Sequence, residues 1–232
     1  MTTWLGIGLP QNRQYDLGKD VPDVARAAEA IGYDSLWVYE RALFPEPRTQ
    51  PLYGVPGLPW PDAYRGVAEP LVTLTLAAAA TERAELGTAV LVAPLHIPFQ
   101  LAKSLATLDA ASGGRVVAGL GSLGRGWLPY ADGPDQVAAS RSRLQDLAAE
   151  RGRTRPLRTV VRVNPDYTAK RYEGPDRRPF QGDVEQIVTD LMAYDGIGLD
   201  EFLVDLSWAA RDAEELKDVN AEVYAAARAA GF

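Results

Sequence analysis

The residues of this chain that are equipped for chemistry cluster where apolar runs give out. Glu40 and Arg41 stand at the end of SLWVYE, the single histidine, His96, follows LGTAVLVAPL, and Gly119, Gly121 and Ser122 close RVVAGLGS. Arg162 and Asn164 lie two apart in VVRVN and so share one face of a strand. A carboxylate at the lip of a cleft can donate a proton or orient a substrate; in the plainer case Glu40 makes a rim salt bridge. His96 is suited to hydrogen-bonding a ligand, or to a structural role between Pro94 and Pro98. An arginine inside an apolar strand requires a partner. For Arg162 that partner is the anionic tail of a ligand or the internal carboxylate of Asp205. Small residues at a strand end let a ligand approach the backbone, or make a tight turn. One histidine, no cysteine and no accompanying carboxylate cluster predict no metal centre, no thiolate nucleophile and no disulfide.

The elements that must hold these side chains alternate along the chain. Apolar, β-type runs occupy residues 4–9, 35–40, 86–93, 115–120, 157–163 and 201–206, with a short one, GWLPY, at 126–130. Helical patterns cover 21–31, 70–81, 98–112, 134–151, 183–194 and 212–230. Strand and helix in alternation predict parallel strands with right-handed crossovers, and continuously apolar strands are those covered on both faces. Strand starts recur at about thirty-residue intervals, which suits a (β/α) barrel. GLPQNR stands after the first strand where a dinucleotide fold would carry Gly-x-Gly-x-x-Gly, which argues against a Rossmann site. One spacing fails: a parallel crossover takes about a dozen residues, and far fewer separate Leu120 from Gly126. GWLPY therefore pairs antiparallel, pairs elsewhere, or belongs to a barrel of fewer than eight strands. The stretch 42–69, with Phe44, Tyr53, Trp60 and Tyr64, is expected to be an ordered loop covering a pocket at the C-terminal rim, or else a surface excursion or dimer contact.

With 232 residues the chain is the size of one barrel or doubly wound domain. A net charge of −7 and a pI near 4.9 argue against a nucleic-acid partner. No apolar run is long enough for a membrane span, and residues 1–10 lack the basic and apolar regions of a secretory signal, so a cytoplasmic location is expected.

Four segments resemble the luciferase-like monooxygenase family, most closely its branch that uses the deazaflavin coenzyme F420. They are WLGIGLP; GYDSLWVYERALFPEPR; TERAELGTAVLVAPLHIPFQLAKSLATLDAASGGRVVAGLGS; and GWLPY with the PDQVAAS…RLQDLAAERGR helix. The resemblance implies an α/β fold, a TIM-type barrel left incomplete at about seven strands, in one domain over 1–232. Such proteins carry further residues between the GLGS and GWLP strands, with a strand and a Gly-Gly turn that receives the cofactor phosphate; here that stretch is absent. The implied activity is hydride transfer between F420, or alternatively FMN, and a small organic substrate. Glu40, Arg41 and His96 take the catalytic positions. Gly8, Val90, Leu91, Val92, Gly119, Gly121, Ser122, Arg162 and Asn164 take the cofactor-binding positions. The segment 89–94 corresponds to a bulge that in such proteins often contains a non-prolyl cis peptide behind the ring. Trp127 and Trp208 read as packing residues. A homodimer through helices near the second and third strands is implied, with Ala77 to Ala80 permitting close packing. The missing stretch leaves two rivals open: a non-catalytic protein that binds a flavin or a partner subunit, and a dimeric scaffold without cofactor.

Overall fold

The computed structural model describes residues 3–52, 56–120, 126–129 and 133–232. Seven parallel strands form one sheet in the order β4-β3-β2-β1-β9-β6-β5. They are β1 (Trp4–Gly8), β2 (Ser35–Val38), β3 (Glu85–Thr88), β4 (Val116–Val117), β5 (Gly126–Trp127), β6 (Arg158–Val163) and β9 (Glu201–Val204). A separate two-stranded ribbon, β7 (Asp166–Tyr167) with β8 (Gln181–Gly182), has no forerunner in the apolar pattern. Six helices cover the outside: α1 (Leu17–Ile31), α2 (Pro70–Ala78), α3 (Pro98–Ala111), α4 (Pro134–Glu150), α5 (Val184–Met192) and α6 (Ala213–Ala230). α1 starts a turn earlier than the apolar pattern suggested, because the Asp16 carboxylate accepts from the N–H groups of Gly18 and Lys19.

The strand order resolves the failed spacing. β5 pairs not with β4 but with β6, in parallel, through Gly126↔Arg158 and Trp127↔Thr159. The sheet is a barrel with one stave missing, and β4 and β5 are its two edges. The flanks of the opening are thinly packed. β4 is only half-buried, and Leu108 is the one fully buried residue of α3. Leu95, Ile97 and Phe99 stand exposed ahead of it, Phe99 at 72%. A helix with no neighbour on one side has nothing to bury that side against.

Side chains alternate across every stave. Leu5, Ile7, Leu36, Val38, Leu86, Val161, Val163, Phe202 and Val204 point outward into the core beneath the helices. The inward set is layered, as barrel interiors are. At the N-terminal end Glu201 accepts from Ser35, from Trp37 Nε1 at 2.8 Å and from Arg158 Nη2 at 2.5 Å, and Arg158 also reaches Glu85 at 2.8 Å. Trp37, Ala89, Val160 and Leu203 fill the middle. The bulk of Trp37 is accommodated because a Cβ on Gly87 would collide with its indole. The strands are thus apolar outward but carry two polar layers inward, where the sequence pattern had suggested apolar residues throughout.

Burial pushes the Glu201 carboxyl above its ordinary value of 4.5, against the opposing pull of Ser35, Arg158 and Trp37. The folded chain therefore holds this proton more tightly than the unfolded chain, and the resulting stability is complete below the ordinary value and is lost as pH rises through the folded-state value. Glu201→Gln removes that dependence. Urea unfolding of both proteins from about pH 4 to about pH 8 is expected to show wild-type stability falling relative to the variant as pH rises. A difference that grew in favour of the wild type with pH would instead make the ion pair to Arg158 dominant.

Candidate functional site

The C-terminal mouth of the barrel gathers most of the chemistry-bearing residues. β2 ends at Val38, two residues before the sequence pattern does, and Glu40 lies just beyond. Its Oε2 accepts from the backbone N–H of Val92 at 2.5 Å and its Oε1 lies 2.8 Å from His96 Nε2. The carboxylate is 9% exposed and the imidazole 22%. Glu40 and His96, fifty-six positions apart, are thus one hydrogen-bonded pair at the lip. Arg41 turns the other way and lies over the ring of Tyr64 at 4.2 Å and of Trp60 at 5.4 Å.

Residues 89–92 leave β3 as a bulge rather than continuing as strand. The Ala89–Val90 peptide is cis. The Ala89 N–H donates to Val38 O at 2.6 Å, and the Leu91 N–H to Gly119 O at 2.8 Å. Val90 O accepts from the Glu40 N–H, and Ala89 O accepts from Arg162 Nη1 at 2.7 Å. Among the described residues the Val90 N–H has no hydrogen-bond partner. Val92 is 38% exposed. The bulge therefore offers the mouth apolar surface at Val92 and one backbone donor, Val90 N–H, that no described residue occupies.

Beneath the wall lies a buried polar cluster. Arg162 Nη2 pairs with Asp205 Oδ2 at 2.7 Å, and Arg162 Nε donates to Asn164 Oδ1 at 3.1 Å. Of the two partners open to Arg162, the structure shows the ion pair with Asp205. Ser207 Oγ donates to Asp205 Oδ1 at 2.6 Å. Gly8 faces this cluster, and a Cβ there would strike the Asp205 carboxylate. Gly119 lies against β3, where a Cβ would strike Thr88 O, so its smallness serves the close approach of two staves. Gly121 and Ser122 lie outside the described residues.

The loop 42–69 closes over one side of the mouth. Tyr39 stacks on Trp208 at 5.8 Å, Trp208 meets Tyr64 edge-on at 4.6 Å, and Tyr64, Trp60 and Phe44 continue the series. The described residues of the loop thus form an aromatic cluster with Tyr39 and Trp208, and Tyr53 lies outside the described residues. Gln11 and Asn12, both fully buried, fasten it. The Gln11 amide exchanges hydrogen bonds with the Tyr39 backbone, and Tyr39 OH donates to Asn12 Oδ1 at 2.5 Å. Among the described residues Asn12 Nδ2 and Trp208 Nε1 are buried with no hydrogen-bond partner. Burial pushes the Tyr39 phenol upward, with Asp205 adding to it. Gln11 and Asn12 were missed in the sequence although their signal was that of Glu40 and Arg41: a polar pair where an apolar run ends. Among the described residues no group of three or more His, Cys, Asp or Glu could hold a metal ion, and no helix is long and apolar enough to cross a membrane.

The C-terminal mouth of this open parallel barrel thus carries a carboxylate–imidazole pair, a bulge after the third stave and an aromatic loop, in an α/β-barrel frame. Residues 6–125, just over half the chain, match the luciferase-like monooxygenases, and the chain belongs to that family. It is 41% identical over 108 residues to uncharacterised proteins of Mycobacterium tuberculosis and Mycobacterium bovis, a match spanning 46% of this chain but only 38% of theirs. Its fold is similar to that of an F420-dependent secondary alcohol dehydrogenase solved with an F420–acetone adduct, at 14% identity, with a TM-score of 0.72 over 98% of this chain and 100% of the other. It is also similar to a coenzyme F420-dependent tetrahydromethanopterin reductase from Methanopyrus kandleri, at 12% identity and a TM-score of 0.69 over 97% and 98% of the two chains. A monooxygenase from Streptomyces bottropensis matches at 14% identity and a TM-score of 0.70, over 98% of this chain and 99% of its own.

Proposed function

We propose that the chain is an oxidoreductase that binds a flavin-type ring, coenzyme F420 or FMN, at the barrel mouth and moves hydride between that cofactor and a small organic substrate. The observation that carries this reading is the bulge at 89–92, with its exposed Val92 and its unpartnered Val90 N–H, placed beside Glu40 and His96. A flat ring needs an apolar wall on one face and a backbone donor at its polar edge; exposed Val92 supplies the first and the Val90 N–H the second, whereas Leu91 is fully buried with its N–H bound to Gly119 O. When bound, the cofactor supplies or accepts the hydride. The protein's part is to hold the substrate over the ring and to manage the accompanying proton.

Glu40 and His96 do the second of these. A substrate carbonyl that gains hydride must also gain a proton at oxygen, and the hydrogen-bonded imidazole, backed by a carboxylate fixed on Val92, can deliver it. The aromatic loop excludes water, and the unpartnered donors of Asn12 and Trp208 favour a substrate with an oxygen acceptor. A homodimer belongs to the same proposal. The groove between α2 and α3, lined by Val72, Thr75, Lys103 and Thr107, offers apolar surface for it, although Ala77 is fully buried on the inner side of α2.

Titration of the purified protein with FMN and with F420, followed by visible absorbance, tests the reading. Saturable spectral change with either cofactor, and discharge of the reduced cofactor by a small ketone or by dioxygen, is the expected result. Failure of both cofactors to bind would sink it. The missing stave favours a second reading, that of a binding protein: a bound, reduced cofactor that no acceptor discharges would establish it in place of the first.

A further inference from the structure

Two arginines on the inner face of β6, four residues apart, cross the bore, Arg158 to β3 and Arg162 to the bulge that follows it. Arg158 reaches Glu85 at 2.8 Å and Arg162 reaches the carbonyl of Ala89 at 2.7 Å. β3 and β6 are not neighbours, since β2, β1 and β9 lie between them in the sheet. Each is instead next to an edge, β3 beside β4 and β6 beside β5. In a barrel with a missing stave these two strands have no short hydrogen-bonded route to one another across the opening. The arginines provide a route through the interior.

We infer that Arg162 is a positioning residue: anchored on Asp205, it fixes the Ala89 carbonyl and with it the segment 89–92 against which the cofactor ring is proposed to lie. The backbone groups of that segment show how it is held. Ala89 N–H and Leu91 N–H are bound by the flanking staves, Val90 O by the backbone of Glu40, and Val92 N–H by the Glu40 carboxylate. Ala89 O is held from the far side of the bore, by Arg162 Nη1. The guanidinium has little freedom of its own. Asp205 and Asn164 hold two of its nitrogens, its face lies 5.2 Å from the Tyr39 ring, and Asp205 is held by the hydroxyl and the N–H of Ser207. A planar fork can bind a carboxylate and a carbonyl at once in fixed directions, which an ammonium group cannot do as well. The consequence reaches the lip. Val92 holds Glu40, and Glu40 holds His96, so movement of the Ala89 carbonyl is passed to the proton-handling pair.

This inference rests on the proposed ring site, but one of its readouts does not. His96 is the only histidine, so its ring Cε1–H proton gives a single resonance that reports the lip with no cofactor present. Arg162→Met and Arg162→Lys are compared with Arg177→Met, which breaks the Arg177–Asp190 pair, an ion pair that includes no residue of the Arg162 cluster or of the Glu40–His96 pair. The expected result is a displaced or broadened His96 resonance in both Arg162 variants and an unchanged one in Arg177→Met, whatever the melting temperatures. In holo samples the FMN or F420 dissociation constant is expected to rise about tenfold to a hundredfold in Arg162→Met, with partial recovery in Arg162→Lys. If Arg162→Met does not fold, Arg162→Lys carries both measurements. A wild-type protein that binds neither cofactor overturns the ring site and leaves the His96 comparison standing. A His96 resonance matching wild type in the Arg162 variants, with only the melting temperature lowered as in Arg177→Met, overturns the positioning role.

Discussion

Glu40→Gln is expected to slow discharge of the reduced cofactor by about a hundredfold or more, the ordinary range for losing a positioned acid–base group. Glutamine keeps the size of the side chain and can still accept from Val92 N–H or from His96, but it carries no charge to support an imidazolium. The wild-type carboxylate does both jobs at once, through different oxygens. Cofactor affinity is expected to stay within about threefold of wild type, because the ring is held by the bulge and not by the carboxylate. The measurement is single-turnover reoxidation with the acceptor to which the wild type responds, alongside a binding titration. A variant that turned over within twofold of wild type, with intact binding, would remove Glu40 from the chemistry and leave it a rim residue.

The largest effect on stability is expected at Asp205. Arg162 and Asp205 are buried to within a few per cent. Asp205→Ala leaves the guanidinium in the bore without its counter-charge, and breaking a buried pair on one side costs about 3–5 kcal/mol. Ser207 loses its acceptor as well. Urea unfolding measures the loss, and the double variant Arg162→Met with Asp205→Ala is expected to lose less than the sum of the two single changes, because the isolated charge is then gone. A loss below about 1 kcal/mol for Asp205→Ala would mean that water reaches the cluster and screens it.

The two predictions separate chemistry at the lip from architecture beneath it, although one strand of contacts joins them. Asp205 holds Arg162, Arg162 holds the Ala89 carbonyl, and the segment that follows holds Glu40. Loss at the bottom of this series is expected to disturb the top, whereas loss of the Glu40 charge leaves the bottom in place.

Much of this was legible in the one-dimensional pattern. Alternating apolar and amphipathic runs are local properties, so six of the seven staves and all six helices could be placed from them. The short link from Leu120 to Gly126 is a matter of chain reach: it excluded a helical crossover there and left three arrangements open, between which the parallel pairing of β5 with β6 decides. Residue type marked Glu40 and His96, because a polar group following an apolar run in a parallel barrel emerges at one rim, and it marked Arg162 as a charge inside an apolar strand. That Glu40 meets His96 was not legible, and Asp205 was only one of two partners open to Arg162 until the fold brought them together. The contact between Glu40 and His96 spans fifty-six positions, and that between Arg162 and Asp205 spans forty-three. Such pairings depend on the curl of the sheet and the register of its staves, which no stretch of sequence encodes by itself. The same holds for Gly8, whose smallness admits a carboxylate from the last stave, and for the edge at β5, whose partner was decided by competition among all the strands. Side-chain type and spacing are set residue by residue, while distance across a closed or nearly closed sheet is a property of the whole assembly, and it is there that the polar residues of this barrel find their partners.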